Sequence, residues 1–239
     1  MHEILAPLLF ILYSDQQTYE HYKETNALNQ MSAEDRKILE IVYDEEYFEH
    51  DTYGLFVEVM RQVSIWYEEG TPEAEPGPPP PSDPPQPFLR ELSNIGQKLA
   101  DVDFVLYRHL STLDIPPQLY GIRWLRLLFG REFPLHDLLY IWDVIFSQTE
   151  FIRIVHCLFV AMLVHIKPLL LNCDYSGCLQ YLMRYPPVVD VISLVQFVMH
   201  LRFPSKYPRP KYEGLTNYSH LTVAGTSHPN HVRNGVITI

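Results

Sequence analysis

Two apolar stripes of helical period, joined by a short polar hinge, limit what this chain can fold into more than any other feature. Residues 119–146 read LYGIRWLRLLFGREFPLHDLLYIWDVIF. In the first half, Tyr120, Trp124, Leu127 and Leu128 share one helix face, with Arg123 and Arg126 turned away. In the second half, Leu138, Leu139, Trp142, Ile145 and Phe146 form another stripe. Gly130, Arg131 and Glu132 separate them, and Pro134 suits the first turn of the second helix, where a missing N–H costs nothing. The stretch therefore predicts a helix hairpin with Trp124 and Trp142 buried on facing helices. Asp143 lies on the flank of the second stripe, beside Trp142. A partly buried carboxylate needs a partner, so an Arg–Asp clasp from Arg131 or Arg123 is expected at the hinge.

The same period recurs along the chain. Met1 to Ser14 is an apolar helix pattern interrupted by Pro7, and residues 15–26 read as a separate short helix. Ser32, followed by Glu34 and Asp35, has the form of a helix start leading into Ile38, Leu39, Ile41 and Val42. Asp51 can cap a further helix whose apolar face is Leu55, Phe56, Val59, Met60 and Val63. Residues 70–87, GTPEAEPGPPPPSDPPQP, hold nine prolines and cannot be helix or central strand. Helical periodicity resumes near Phe88 and runs to Leu113, and DIPPQLYG then breaks it. Further helices are expected at about 149–167, 173–185 and 188–201. No segment alternates strictly, so the expected fold is all-α. Its organisation is one helical domain over residues 1–213, carrying a disordered proline-rich insertion at 70–87, with a flexible tail at 214–239.

Charge is uneven. Residues 1–70 hold 15 Asp and Glu against 4 Lys and Arg, while the remainder is balanced at 14 of each. An acidic first third argues against nucleic acid and suits protein partners with basic surfaces, although a solvated acidic face accounts for it more simply. The cysteines, Cys157, Cys173 and Cys178, are odd in number, so no disulfide framework is expected and a reduced, cytoplasmic setting fits. No secretory leader is expected from the first residues. The longest apolar run, Ile154 to Leu171, contains His156, His165, Lys167 and Pro168 and reads as a buried helix, not a transmembrane segment.

Signals for chemistry are weak. His2-Glu3 begins a zinc-protease pattern, but Ala6 stands where the second His would be. His156 and His165, nine residues apart on one expected helix, read as core or boundary residues. Cys173 and Cys178 lack the second pair a zinc site needs. No phosphate-binding glycine loop is present, so no cofactor is expected. The P-x-x-P pattern at Pro78–Pro81 and Pro81–Pro84 could dock an SH3 domain, but a plain flexible loop accounts for it better, since no Arg lies close to orient such a ligand.

GREFPLHDLLYIWD, with the upstream Trp124 helix, resembles the late signature of the TBC domain, the helical domain of Rab GTPase-activating proteins. EYFEHDTYGLF at 46–56 and GCLQYLMRYP at 177–186 follow in matching order, and with the proline-rich insertion they are most similar to the member-five-like subfamily. The resemblance covers residues 1 to about 210. It makes Trp124, Arg131, Glu132, Phe133, Trp142 and Asp143 a structural signature, and it puts His2 and Glu3 on the side that would face a GTPase.

The family carries a catalytic Arg in I-x-x-D-x-x-R and a catalytic Gln in Y-x-Q. Neither motif occurs here, and neither YSDQ at 13–16 nor DRKI at 35–38 has the spacing. MHEILAPLLF resembles the residues just after that Gln, so the expectation is a TBC-type domain lacking its amino-terminal portion, with no catalytic residues of its own. The resemblance implies a Rab GTPase activator of endosomal or autophagic membrane traffic, impaired in this chain. Its implied partners are a Rab-family GTPase, including late-endosomal members, and a retromer-type coat protein. Its implied location is cytoplasmic, with peripheral attachment to endosomal membranes. Two alternatives remain at this point. One is a non-catalytic Rab- or coat-binding module. The other is an incomplete gene model of an active protein.

Overall fold

A computed structural model of the protein describes residues 1–67 and 87–210. These residues form eleven α-helices and no strand, so the chain is all-α over the described residues. In order, the helices are α1 (His2–Glu24), α2 (Ala33–Val42), α3 (Phe48–Val63), α4 (Pro87–Val102), α5 (Phe104–Thr112), α6 (Gln118–Arg126), α7 (Leu135–Phe146), α8 (Phe151–His165), α9 (Lys167–Leu170), α10 (Tyr175–Met183) and α11 (Val191–Arg202). Short 3-10 turns at Ala27–Gln30, Glu45–Tyr47 and Ser64–Trp66 flank the first three. The expected mobile insertion, its P-x-x-P repeats and the tail fall outside the described residues, apart from Pro87 at the start of α4.

α8 is the centre of the fold. Its sequence, FIRIVHCLFVAMLVH, is apolar nearly all round, and a helix of that kind must be enclosed on every side. Eleven of its fifteen residues are buried, with α11, α4 and α7 packed around it. α5 packs on α4, and α1 packs on α3. His156 faces α4, where its Nε2 lies 2.9 Å from Glu91 Oε2, and His165 is buried at the end of α8. The three cysteines are free thiols.

α6 approaches α4 and α8 closely. A Cβ added at Gly121 would lie 2.8 Å from Leu92 Cδ2 and 2.9 Å from Phe159 Cζ, so only glycine fits this crossing. The consequence is an aromatic cluster. Trp124 sits 4.8 Å from Phe159, 5.2 Å from Tyr120 and 5.5 Å from Tyr185 between ring centroids. Tyr185 donates its hydroxyl to the Met162 carbonyl at 3.0 Å, which seats the segment after α10 against α8.

Several local expectations are corrected. α1 does not divide at Pro7 but runs unbroken to Glu24. Pro7 lies in the second turn, where it removes one intrahelical bond, and its buried ring compensates by packing. Residues 88–113 are two helices, because Asp103 leaves helical geometry and accepts a hydrogen bond from Leu106 N at 3.0 Å, capping α5. Ser32 caps α2 as expected, accepting from Asp35 N at 3.0 Å. Asp51 is not a cap: α3 begins at Phe48, so Asp51 belongs to its first turn, where its charge favours the helix N-terminus. α2 is amphipathic but buries none of its residues, with Ile38, Ile41 and Val42 exposed.

Candidate functional site

The expected hairpin is formed by α6, a turn at 127–134, and α7. The turn is built from backbone outward. Leu127 N donates to Arg123 O at 3.1 Å, Leu128 N to Leu125 O at 3.0 Å, and Phe129 N to Trp124 O at 2.8 Å. This closes α6 and sends Leu128 and Phe129 into the left-handed region, with φ of 45° and 62°. Bulky residues rarely adopt that conformation, which costs on the order of 1–3 kcal/mol. Both side chains are fully buried here, and Trp142 Nε1 donates to the Leu128 carbonyl at 2.9 Å. Burial and that bond together hold the strained turn. Trp124 and Trp142 are thus both core residues, as expected, and Trp142 in addition ties α7 to the end of α6.

The ionic clasp differs from the expected one. Arg123 grips Glu132 with both arms of its fork, Nε to Oε1 at 2.9 Å and Nη2 to Oε2 at 3.0 Å. The same guanidinium donates from Nη1 to the Met183 carbonyl at 2.6 Å and from Nη2 to the Leu182 carbonyl at 3.4 Å, so it also holds the end of α10. The Glu132 side chain is 2% exposed. Burial holds its carboxyl above the ordinary carboxylate range, and Arg123 and Arg131 offset only part of that rise. Asp143 takes no part: it is exposed on the outer side of α7, and no ion pair to it occurs among the described residues. The reason is angular. The buried stripe of α7 is Leu138, Ile141, Trp142 and Ile145, and Asp143 points away from it. Helix periodicity could not reveal the Arg123–Glu132 pair, because its partners are joined across a non-helical turn.

The remaining hinge arginines serve other contacts. Arg126 donates from Nε to the Trp66 carbonyl at 2.8 Å, accepts the Tyr67 hydroxyl on its own carbonyl, and lies over the Tyr67 and Phe88 rings at 5.5 and 5.6 Å. Arg131 pairs with Glu3 at the start of α1, with its Nε 2.8 Å from Glu3 Oε1. The Arg131 guanidinium holds the Glu3 carboxyl below its ordinary range. His2, with a side chain 90% exposed, stands 4.0 Å from the same carboxylate. The fold thus gathers His2, Glu3 and Arg131 at one edge and buries Trp124, Glu132, Phe133 and Trp142 just behind them. Gly130 lies between the two groups, its Cβ position 3.8 Å from the Glu3 carbonyl oxygen. The site has no nucleophile beside a base, and its cations are all occupied by protein acceptors. Among the described residues no group of three or more His, Cys, Asp or Glu is placed to hold a metal ion. Among them also, no helix is long and apolar enough to cross a membrane.

Comparison with known proteins agrees with this architecture. The family model for the Rab-GTPase-TBC domain matches residues 81–171, which contain the whole hairpin. TBC1 domain family member 5 of Homo sapiens is 39% identical over 222 residues, covering 88% of this chain and 27% of that protein. The Mus musculus protein of the same name is 37% identical over 88% of this chain and 26% of its own length. The chain therefore spans about a quarter of the length of these relatives. The crystal structure of the Ypt/Rab-GAP domain of Gyp1p superposes with a TM-score of 0.60 at 17% identity, over 84% of this chain and 56% of that one, which is a likeness of fold. The hinge signature, the helical architecture and the extended identity converge: the chain belongs to the TBC family of Rab GTPase-activating domains and is homologous to TBC1 domain family member 5.

Proposed function

We propose that this chain binds a Rab-family GTPase, in endosomal or autophagic membrane traffic, without accelerating GTP hydrolysis itself. One observation carries the reading: the sequence contains neither I-x-x-D-x-x-R nor Y-x-Q, and the hinge arginines are engaged elsewhere. Hydrolysis needs positive charge at the transferring phosphoryl group and a water held in line, and an arginine finger alone contributes roughly 10³–10⁵ in rate. Arg123 cannot leave Glu132 without stranding a buried carboxylate. Arg126 supports the Trp66 carbonyl. Arg131 is the exposed one, and its fork is held by Glu3. The edge formed by His2, Glu3 and Arg131 is the surface we assign to the GTPase, and late-endosomal Rabs are its expected class.

A retromer-type coat protein is the second partner in this reading. The acidic first third supports a protein partner with a basic surface, and attachment to endosomal membranes would then be peripheral, through those partners. The test is single-turnover hydrolysis by a panel of GTP-loaded Rabs with the 239-residue chain in excess, alongside binding measured on the same panel. Binding with no acceleration is expected. Acceleration beyond about tenfold for any Rab would mean that one of these arginines reaches the nucleotide after all.

A further inference from the structure

A groove runs between α1 and α3, outside the hinge. At one end it opens into a cleft of about 580 Å³ floored by Leu8, Leu55, Val59, Phe146 and Phe151. At the other end a cleft of about 440 Å³ is lined by Leu12, Val42, Tyr43 and Gly54, with Leu55 again on its wall. Leu55 lines both, so the two clefts adjoin along α3. A Cβ at Gly54 would meet nothing within 4 Å, so the groove is open above that turn of α3. From Asp51 to Gln62 it follows α3 for about 16 Å, which is roughly three turns of helix. The floor is apolar and wet: Leu55 is 45% exposed, Val42 54% and Phe146 39%. Next to Val42 the apolar face of α2 continues it, with Ile38 and Ile41 exposed at 57% and 68%. A continuous apolar strip of this kind marks an interaction site.

The charges decide what fits. Asp15 and Asp51 line one cleft and Glu58 the other, and no Lys or Arg lines either. Arg61 is the cation nearest the rim in sequence, and it is paired with Glu58. Asp44, Glu45, Glu46 and Glu49 extend the negative field beyond the open end. A second copy of the chain would press one acidic face on another, and an anionic lipid surface would be repelled. We infer that the groove between α1 and α3 docks a basic amphipathic helix of a partner protein, with apolar anchors one turn apart on the floor and Lys or Arg along the acidic rim.

This assignment stands apart from GTPase binding at the hinge, and the two fail separately. The probe is a fluorescein-labelled Leu/Lys peptide of about 14 residues with Leu at i, i+4, i+7 and i+11. Its controls are a scrambled peptide of the same composition and a version with Glu in place of Lys. Anisotropy with the full chain is expected to show saturable binding that weakens with salt for the first peptide, and binding at least about tenfold weaker for the controls. Leu55→Glu should weaken it by about tenfold, with circular dichroism and melting unchanged because that side chain is exposed, and Asp51→Lys should weaken it similarly while lowering the melting temperature slightly, because it also places a cation in the first turn of α3. Equal binding of the scrambled peptide, or binding indifferent to Leu55→Glu, would overturn the proposal. So would self-association in sedimentation equilibrium that Leu55→Glu abolishes, since the occupant would then be a second copy.

Discussion

Residues 1–67 and residues 87–210 carry helical periodicity of similar quality and use it in opposite ways. In the second region the apolar stripes of α4, α6, α7 and α8 meet one another, and Trp124, Phe159 and Trp142 disappear from solvent. In the first, α2 presents Ile38, Ile41 and Val42 to water, and α1 leaves Leu9, Phe10 and Tyr13 exposed. The difference teaches that a 3.6-residue period reports a helix with two unlike faces and says nothing about whether the apolar face is covered. Charge accompanies the difference. Residues 1–67 hold 13 of the 29 acidic residues of the chain.

The sharpest way to break that comparison is a pair of truncations. Trp124→Ala removes a fully buried ring from the aromatic cluster and should cost roughly 3–5 kcal/mol. Ile41→Ala, on the exposed face of α2, should change stability by no more than about 0.5 kcal/mol. Denaturant unfolding of both variants checks this, and similar losses for the two would mean that the first region is packed as tightly as the second.

A smaller effect is expected from the clasp. Glu132→Ala leaves Arg123 without its carboxylate partner and should cost about 3 kcal/mol, the low end for breaking a buried pair, because Arg123 keeps part of its surface in water. Replacing both partners, as Arg123→Met with Glu132→Leu, should recover most of the loss. A double-mutant cycle measures this, and additive losses would mean that the two residues act independently.

The smallest effect lies where the two regions touch. Arg131 depresses the Glu3 carboxyl in the folded chain, so the pair contributes stability above the unfolded value of 4.5, and that contribution is lost as pH falls through the folded value. Glu3→Gln should therefore narrow the drop in melting temperature between about pH 5 and pH 3, with the wild type losing more. A difference between the two proteins that does not vary with pH would remove Arg131 as the cause.

Much of the candidate site was legible. The hairpin, its two buried tryptophans and the GREF hinge follow from spacing, and the family resemblance adds what they belong to. The clasp was not legible, since helical angle places Asp143 beside Trp142 but says nothing of Glu132, which lies in a non-helical turn. Arg123 lies on the flank of α6, where its long stem can reach back over a turn, while Asp143 has a short side chain on the outer side of α7. The left-handed Leu128 and Phe129 were equally hidden, because neither residue type announces that conformation.

The sequence by itself determined that this chain is helical, where most helices lie, that Ser32 caps one of them, and that Trp124 and Trp142 belong to the core. Each rests on interactions between residues a few positions apart, which a linear text records directly. Only the tertiary structure decided that Glu132 rather than Asp143 receives Arg123, that Pro7 is accommodated within one long helix, and that the apolar face of α2 stays in water. Those outcomes depend on which surfaces arrive opposite one another after the chain has folded. Distant segments compete for the same cation or the same apolar face, and that competition is settled by packing across the fold, not by local spacing.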